Sequence, residues 1–194
     1  MQRSEFNTTI RQFVRDDISP SVDDRQFIST IYESFRDLLN DNCIQIGSYP
    51  RYTATRPLHD LDILFLSGDW DSSLPNPVAV LASLHKTIES NYENPTDLGY
   101  RVQQQTHSIT VEYYENTELV FSVDVVPGFA VARNDFGQDI YMVPEVLEYK
   151  HGEQRKSHYS LLESSGDTMR WISSDPRGYI KIASDLNEMN SDFR

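Results

Sequence analysis

The sequence predicts an α+β fold. Helical apolar stripes occupy its front, apolar and β-branched strand patterns crowd its middle, and short polar turns join those strands.

The elements follow in order. Residues 5–16 and 22–39 read as helices, and in the second Phe27, Ile28, Ile31, Phe35, Leu38 and Leu39 recur as one apolar stripe. Ser21 precedes it as an N-cap, with Asp24 in the first turn. The period then changes. Ile44 to Ile46 is a short strand ended by Gly47-Ser48, a brief helix or turn runs to about Thr55, and Pro57 closes it. Leu58 to Leu66 is a strand, Ser67 to Pro77 a turn-rich loop, and Val78 to Tyr92 a helix with Leu81, Leu84, His85 and Ile88 in register. Tyr100–Gln105, Ser108–Tyr114 and Glu118–Val126 are strands, the last two joined by a turn at Glu115-Asn116-Thr117. A second turn at Asn134–Asp139 lies between Phe129–Ala132 and Ile140–Val143. Residues 150–168 are polar and low in pattern. A last helix begins near Asp175-Pro176 and carries Tyr179, Ile182, Leu186, Met189 and Phe193 on one side. Such a stripe needs a partner surface. The expectation is a chain that forms the front portion of a longer protein, divided at about 1–165 and 166–194.

Composition bounds the function. At 194 residues the chain fits one domain, or one domain and the start of a second. Apolar residues at 38% and charged residues at 24% describe a globular protein, not a disordered one. The single cysteine, Cys43, excludes an internal disulfide framework and a cysteine-rich zinc site. No apolar run approaches the ~18 residues of a membrane span, and Met1-Gln2-Arg3-Ser4-Glu5 leads into no signal-peptide core. A cytoplasmic location is expected. The net charge of −13 disfavours a long nucleic acid as substrate. Small anions escorted by metal ions remain compatible with it.

The chemistry concentrates in two stretches. In a strand, Asp60 and Asp62 share a face, while Leu61, Ile63 and Phe65 face the other way into a core. Two carboxylates so placed repel each other unless a cation joins them, and Mg²⁺ with its preference for oxygen ligands meets that need. Asp124 stands in the otherwise apolar run Val120-Phe121-Ser122-Val123-Asp124-Val125-Val126, where an unpaired carboxylate is costly. If the two strands are neighbours, three carboxylates converge. Gly47-Ser48 supplies a sharp turn open to a ligand, with backbone amides and a hydroxyl suited to phosphate. Arg51 and Arg56 suit either phosphate contact or surface ion pairing. His59, His85, His107, His151 and His158 show no ligand spacing, and the basic cluster Lys150–Lys156 reads as a solvated loop.

Together these residues resemble the nucleotidyltransferase superfamily typified by DNA polymerase β. Gly47-Ser48, the Thr53–Leu58 approach to Asp60-Leu61-Asp62, and Ser122-Val123-Asp124-Val125-Val126-Pro127 are most similar to one branch. That branch holds the bacterial cyclic-oligonucleotide synthases of antiphage defence, oligoadenylate synthetase and cyclic GMP-AMP synthase. Val143-Pro144 and Trp171–Pro176 resemble the segments that introduce the helical lobe there. The resemblance covers most of residues 20–190. It implies a mixed β-sheet packed against helices and the beginning of a helical C-terminal lobe, with residues 1–165 as the catalytic domain. It implies two Mg²⁺ ions, with Mn²⁺ as a substitute: Asp60 and Asp62 ligate both, and Asp124 ligates the catalytic one and helps take the proton of the attacking hydroxyl. Gly47 and Ser48 hold the triphosphate. The implied partners are nucleoside triphosphates, with a protein regulator or the remaining helical lobe completing the protein and no membrane. The alternatives are a tRNA CCA-adding or other terminal transferase, against which the acidic charge argues, and a non-catalytic nucleotide-binding module.

Overall fold

The computed structural model describes residues 3–50, 53–71, 73–133, 139–147, 156–165 and 168–173. Helix α1 (Arg3–Phe13) runs into one π-helical turn, Val14–Ile18, and is followed by α2 (Val22–Leu38), β1 (Cys43–Ile46), β2 (Asp60–Asp69) and α3 (Pro77–Asn91). Strands β3 (Gly99–Gln104), β4 (Ile109–Glu115), β5 (Glu118–Arg133), β6 (Asp139–Leu147), β7 (Lys156–Ser165) and β8 (Thr168–Ser173) complete the described chain. All the strands belong to one sheet, ordered β1-β2-β5-β6-β7-β8, with β4 also on β5 and β3 on β4. The β2–β5 pair is parallel and the other pairs are antiparallel. The fold is therefore α+β with a mixed sheet.

Local chemistry sets the helix starts. Ser21 and Asp24 form a reciprocal capping box: the Asp24 amide donates to Ser21 Oγ at 3.0 Å, and the Ser21 amide donates to Asp24 Oδ2 at 2.7 Å. Asn76 caps α3 by accepting from the Ala79 amide at 3.0 Å, and Pro77 occupies the first turn. Both helices bury the stripe read from their spacing. Ile28, Ile31 and Phe35 from α2 meet Leu81, Leu84 and Ile88 from α3 over Leu61, Ile63, Val123 and Val125 of the sheet. The opposite sheet face carries a smaller apolar cluster of Leu64, Val126, Tyr141, Val143 and Leu162. Alternation along each strand thus gives one helix-covered face and one face without a described helix. Phe6, Ile10, Phe13 and Val14 at the front of the chain stay exposed.

Several expectations are corrected. Strand β2 begins two residues late and continues through Ser67, Gly68 and Asp69, which were expected to open a loop. Glu118–Val126 and Phe129–Ala132 are one strand, β5, whose Pro127 and Gly128 are buried within it. Its length follows from a shared edge: β4 pairs with its first half and β6 with its second. Strand β6 extends to Leu147, so Val143-Pro144 lies inside the sheet and does not introduce helix. The stretch read as polar and patternless contains β7, and Thr168–Ser173 is a further strand on its edge. The helix expected from Asp175, like the Lys150–Arg155 part of the basic cluster, lies outside the described residues. None of the described helices is long and apolar enough to cross a membrane.

Candidate active site

The parallel register of β2 and β5 pairs Asp62 with Asp124 and Asp60 with Ser122. Register partners on neighbouring strands point to the same face, and their backbones stand roughly 4.8 Å apart. Asp60, Asp62 and Asp124 therefore share one face, the one opposite α2 and α3. Ile46 of β1 and Thr110 of β4 extend this row, pairing with Asp62 and Asp124 respectively. Asp60 is exposed; Asp62 and Asp124 are half-buried. The amide of Ser122 donates to the His59 carbonyl at 2.9 Å, which ties the approach to β2 onto β5.

Gly47 sits directly against this row. Its φ of +79° lies in the left-handed region, and a Cβ built on it would fall 1.9 Å from Asp62 Oδ2. Only glycine allows both the backbone conformation and the close approach of the carboxylate. The described residues after it, Ser48 to Pro50, form a turn, not a helix, while Arg51 and Tyr52 lie outside the described residues. The Ser48 carbonyl accepts from the Thr53 amide at 3.1 Å and the Thr53 hydroxyl at 3.2 Å, which closes the turn.

The carboxylates suit a hard divalent cation by donor type, and Gly47, having no side chain, lets the Asp62 carboxylate lie directly against the turn. Among the described residues, however, no group of three or more His, Cys, Asp and Glu side chains is gathered closely enough to hold a metal ion. The expected convergence is thus realised in strand order and facing, not in the side-chain positions. Asp124 is engaged on its flank toward β4. There the Thr110 hydroxyl donates to Asp124 Oδ1.

Thr110 escaped the sequence reading, as did Glu112, which points to the same face two residues on. Glu112 accepts from Arg101 Nη2 at 2.7 Å, Gln103 Nε2 at 2.7 Å and the Tyr114 hydroxyl at 2.8 Å. Burial pushes its carboxyl up, but the Arg101, Tyr114 and Gln103 hydrogen bonds outweigh this and hold it below the ordinary range. Arg56 turns toward the helices: its Nε lies 3.2 Å from Asp24, and its Nη1 donates to the Asp16 carbonyl at 3.3 Å. Of the described histidines, His85 lies near Glu89 on α3 and His158 near Glu145 across β6 and β7.

No family model matches the chain, and no curated protein matches it. Among solved structures the chain is similar to CdnC of E. coli MS115-1 with ATP, at 22% identity and a TM-score of 0.42 over 69% of this chain and 43% of that one. It is similar to the CdnC:HORMA-deltaN complex from the same strain at 21% identity and 0.44, over 69% and 44%. It is also similar to the Elizabethkingia meningoseptica CdnE cyclic dinucleotide synthase with GTP and Apcpp at 16% identity and 0.41, over 70% and 47%. The chain spans less than half the length of these three chains.

Proposed function

We propose that this chain carries the carboxylate-bearing half of a Mg²⁺-dependent nucleotidyltransferase, which joins nucleoside triphosphates into a cyclic or short oligonucleotide second messenger. The observation that carries the reading is the direct pairing of Asp62 with Asp124 across parallel strands, on the face that also holds Asp60 and the Gly47 turn. Two carboxylates facing one another on an open sheet are unfavourable alone and are explained by a cation between them.

Asp60, Asp62 and Asp124 would hold the ions, and Mn²⁺ would substitute. When bound, the ions supply charge neutralisation at the triphosphate and a lowered hydroxyl pKa. The turn at Gly47-Ser48 receives the polyphosphate through backbone amides and the Ser48 hydroxyl. The hydroxyl oxygen of an acceptor nucleotide forms a bond to the α-phosphorus, the bridging bond to the β-phosphate breaks, and pyrophosphate leaves with that electron pair. Asp124 helps take the hydroxyl proton. Positioning and electrostatics account for most of the acceleration in such reactions. A helical lobe or partner protein supplies base selection, and the product serves antiphage signalling in the cytoplasm.

The test is pyrophosphate release from mixed nucleoside triphosphates with Mg²⁺ or Mn²⁺, on protein that includes any sequence continuing past Arg194, with mass spectrometry of the product. Release that depends on Asp60 and Asp62, together with a cyclic or short oligonucleotide mass, is the expected result. Absence of release from every mixture refutes the enzyme.

A further inference from the structure

We infer that Thr110 is a positioning residue, which fixes the carboxylate of Asp124 for the divalent cation. This rests on the proposal that Asp124 is a ligand. Thr110 lies opposite Asp124 in the β4–β5 register, is 7% exposed, and donates its hydroxyl to Asp124 Oδ1. Strand order places Asp124 between Asp62 on β2 and Thr110 on β4. One carboxylate oxygen is thus engaged on the β4 side, which leaves Oδ2 for a ligand shared with Asp62.

The residue type suits this task. A β-branched threonine on a strand has restricted χ1, so its hydroxyl is a stiff donor. A hydroxyl carries one proton to donate, and a carboxylate that ligates a cation only accepts, so the two groups are matched as donor and acceptor. Outer hydrogen bonds of this kind commonly change metal affinity by about 10- to 100-fold. The apolar neighbours of Thr110 on its strand, Ile109 and Val111, are wholly buried on the opposite face, so Thr110 faces the carboxylate row while its neighbours pack into the core.

The experiment is a calorimetric Mn²⁺ titration without nucleotide on the full chain, beside thermal unfolding, for wild type, Thr110→Val, Thr110→Ser and Asp124→Asn. Thr110→Val keeps the shape and removes the donor. It is expected to bind Mn²⁺ about tenfold or more weakly, while Thr110→Ser binds nearly as wild type and Asp124→Asn loses the site. Should Thr110→Val not fold, Thr110→Cys keeps the shape of serine with a weak donor and is expected to show the same loss. Wild-type affinity in Thr110→Val, with only a lowered melting temperature, overturns the positioning role and leaves the reading of Asp124 intact. Wild-type affinity in Asp124→Asn, or no Mn²⁺ binding by wild type, overturns the metal site itself and this inference with it.

Discussion

A methyl group on Gly47 would lie 1.9 Å from Oδ2 of Asp62, far inside contact distance. Gly47→Ala must therefore displace the carboxylate as well as strain a backbone at φ +79°. The backbone term alone costs about 1–2 kcal/mol. Gly68 is the control: its φ of +116° is also unfavourable to a side chain, but a Cβ there has open space. The expected outcome is destabilisation in both variants and loss of pyrophosphate release in Gly47→Ala alone, checked by urea denaturation and a coupled pyrophosphate assay.

The pairing of Asp62 with Asp124 predicts opposite effects on stability and function. Like charges directly opposed on a sheet oppose folding by up to about 1 kcal/mol. Asp62→Asn in metal-free buffer should therefore melt at or above the wild-type temperature while losing turnover. Added Mg²⁺ should raise the melting temperature of wild type, because a ligand of the folded state alone stabilises it, and should leave that of Asp62→Asn unchanged. Thermal unfolding with and without the ion reads both.

Buried phenols predict alkaline weakness. The Tyr113 hydroxyl is hydrogen-bonded to that of Tyr92, which also accepts from Ser34 Oγ at 3.3 Å. Burial drives the pKa of Tyr113 far upward and raises that of Tyr92, and burial pushes Tyr32 up to about 12. The unfolded chain releases these protons near pH 10, so above that pH the folded state binds more protons than the unfolded one. Stability is full below pH 10 and falls as pH rises toward the folded values. Tyr113→Phe should cost about 1 kcal/mol at neutral pH and flatten the alkaline decline. Urea midpoints across this range check both.

The loop that delivers Asp60 is tied to the first turn of α2 through Asp24, which closes the capping box and lies 3.2 Å from Arg56. The hydrogen bonds from the Ser21 side chain and backbone, aided by Arg56, lower the pKa of Asp24. Its contribution is present above the ordinary carboxylate pKa of 3.8 and is lost as pH falls toward the lowered value. Asp24→Ala should cost about 1–2 kcal/mol through the cap, with less from the part-exposed ion pair. Arg56→Ala should cost less. Chemical denaturation at neutral and acid pH measures the difference.

Local pattern was enough for much of this protein. Apolar spacing located α2 and α3, Ser21 marked where α2 starts, and period-2 alternation put Asp60 and Asp62 on one face because successive strand side chains alternate. Strand β7 was not legible, since its polar sequence, Lys156 to Ser165, forms a strand through pairing with β6. The neighbours of Asp124 were not legible either. Counting back from the Glu115–Glu118 turn places Ile109 opposite Asp124, but an irregularity between Tyr113 and Tyr114 shifts the register by one and places Thr110 there. The sequence by itself determined which carboxylates share a strand face and which glycine precedes them. Only the tertiary structure decided that β2 lies parallel to β5, that Asp62 meets Asp124, and that Thr110 reaches its oxygen. Strand order and register arise from contacts between segments far apart in the chain, and no local period encodes them.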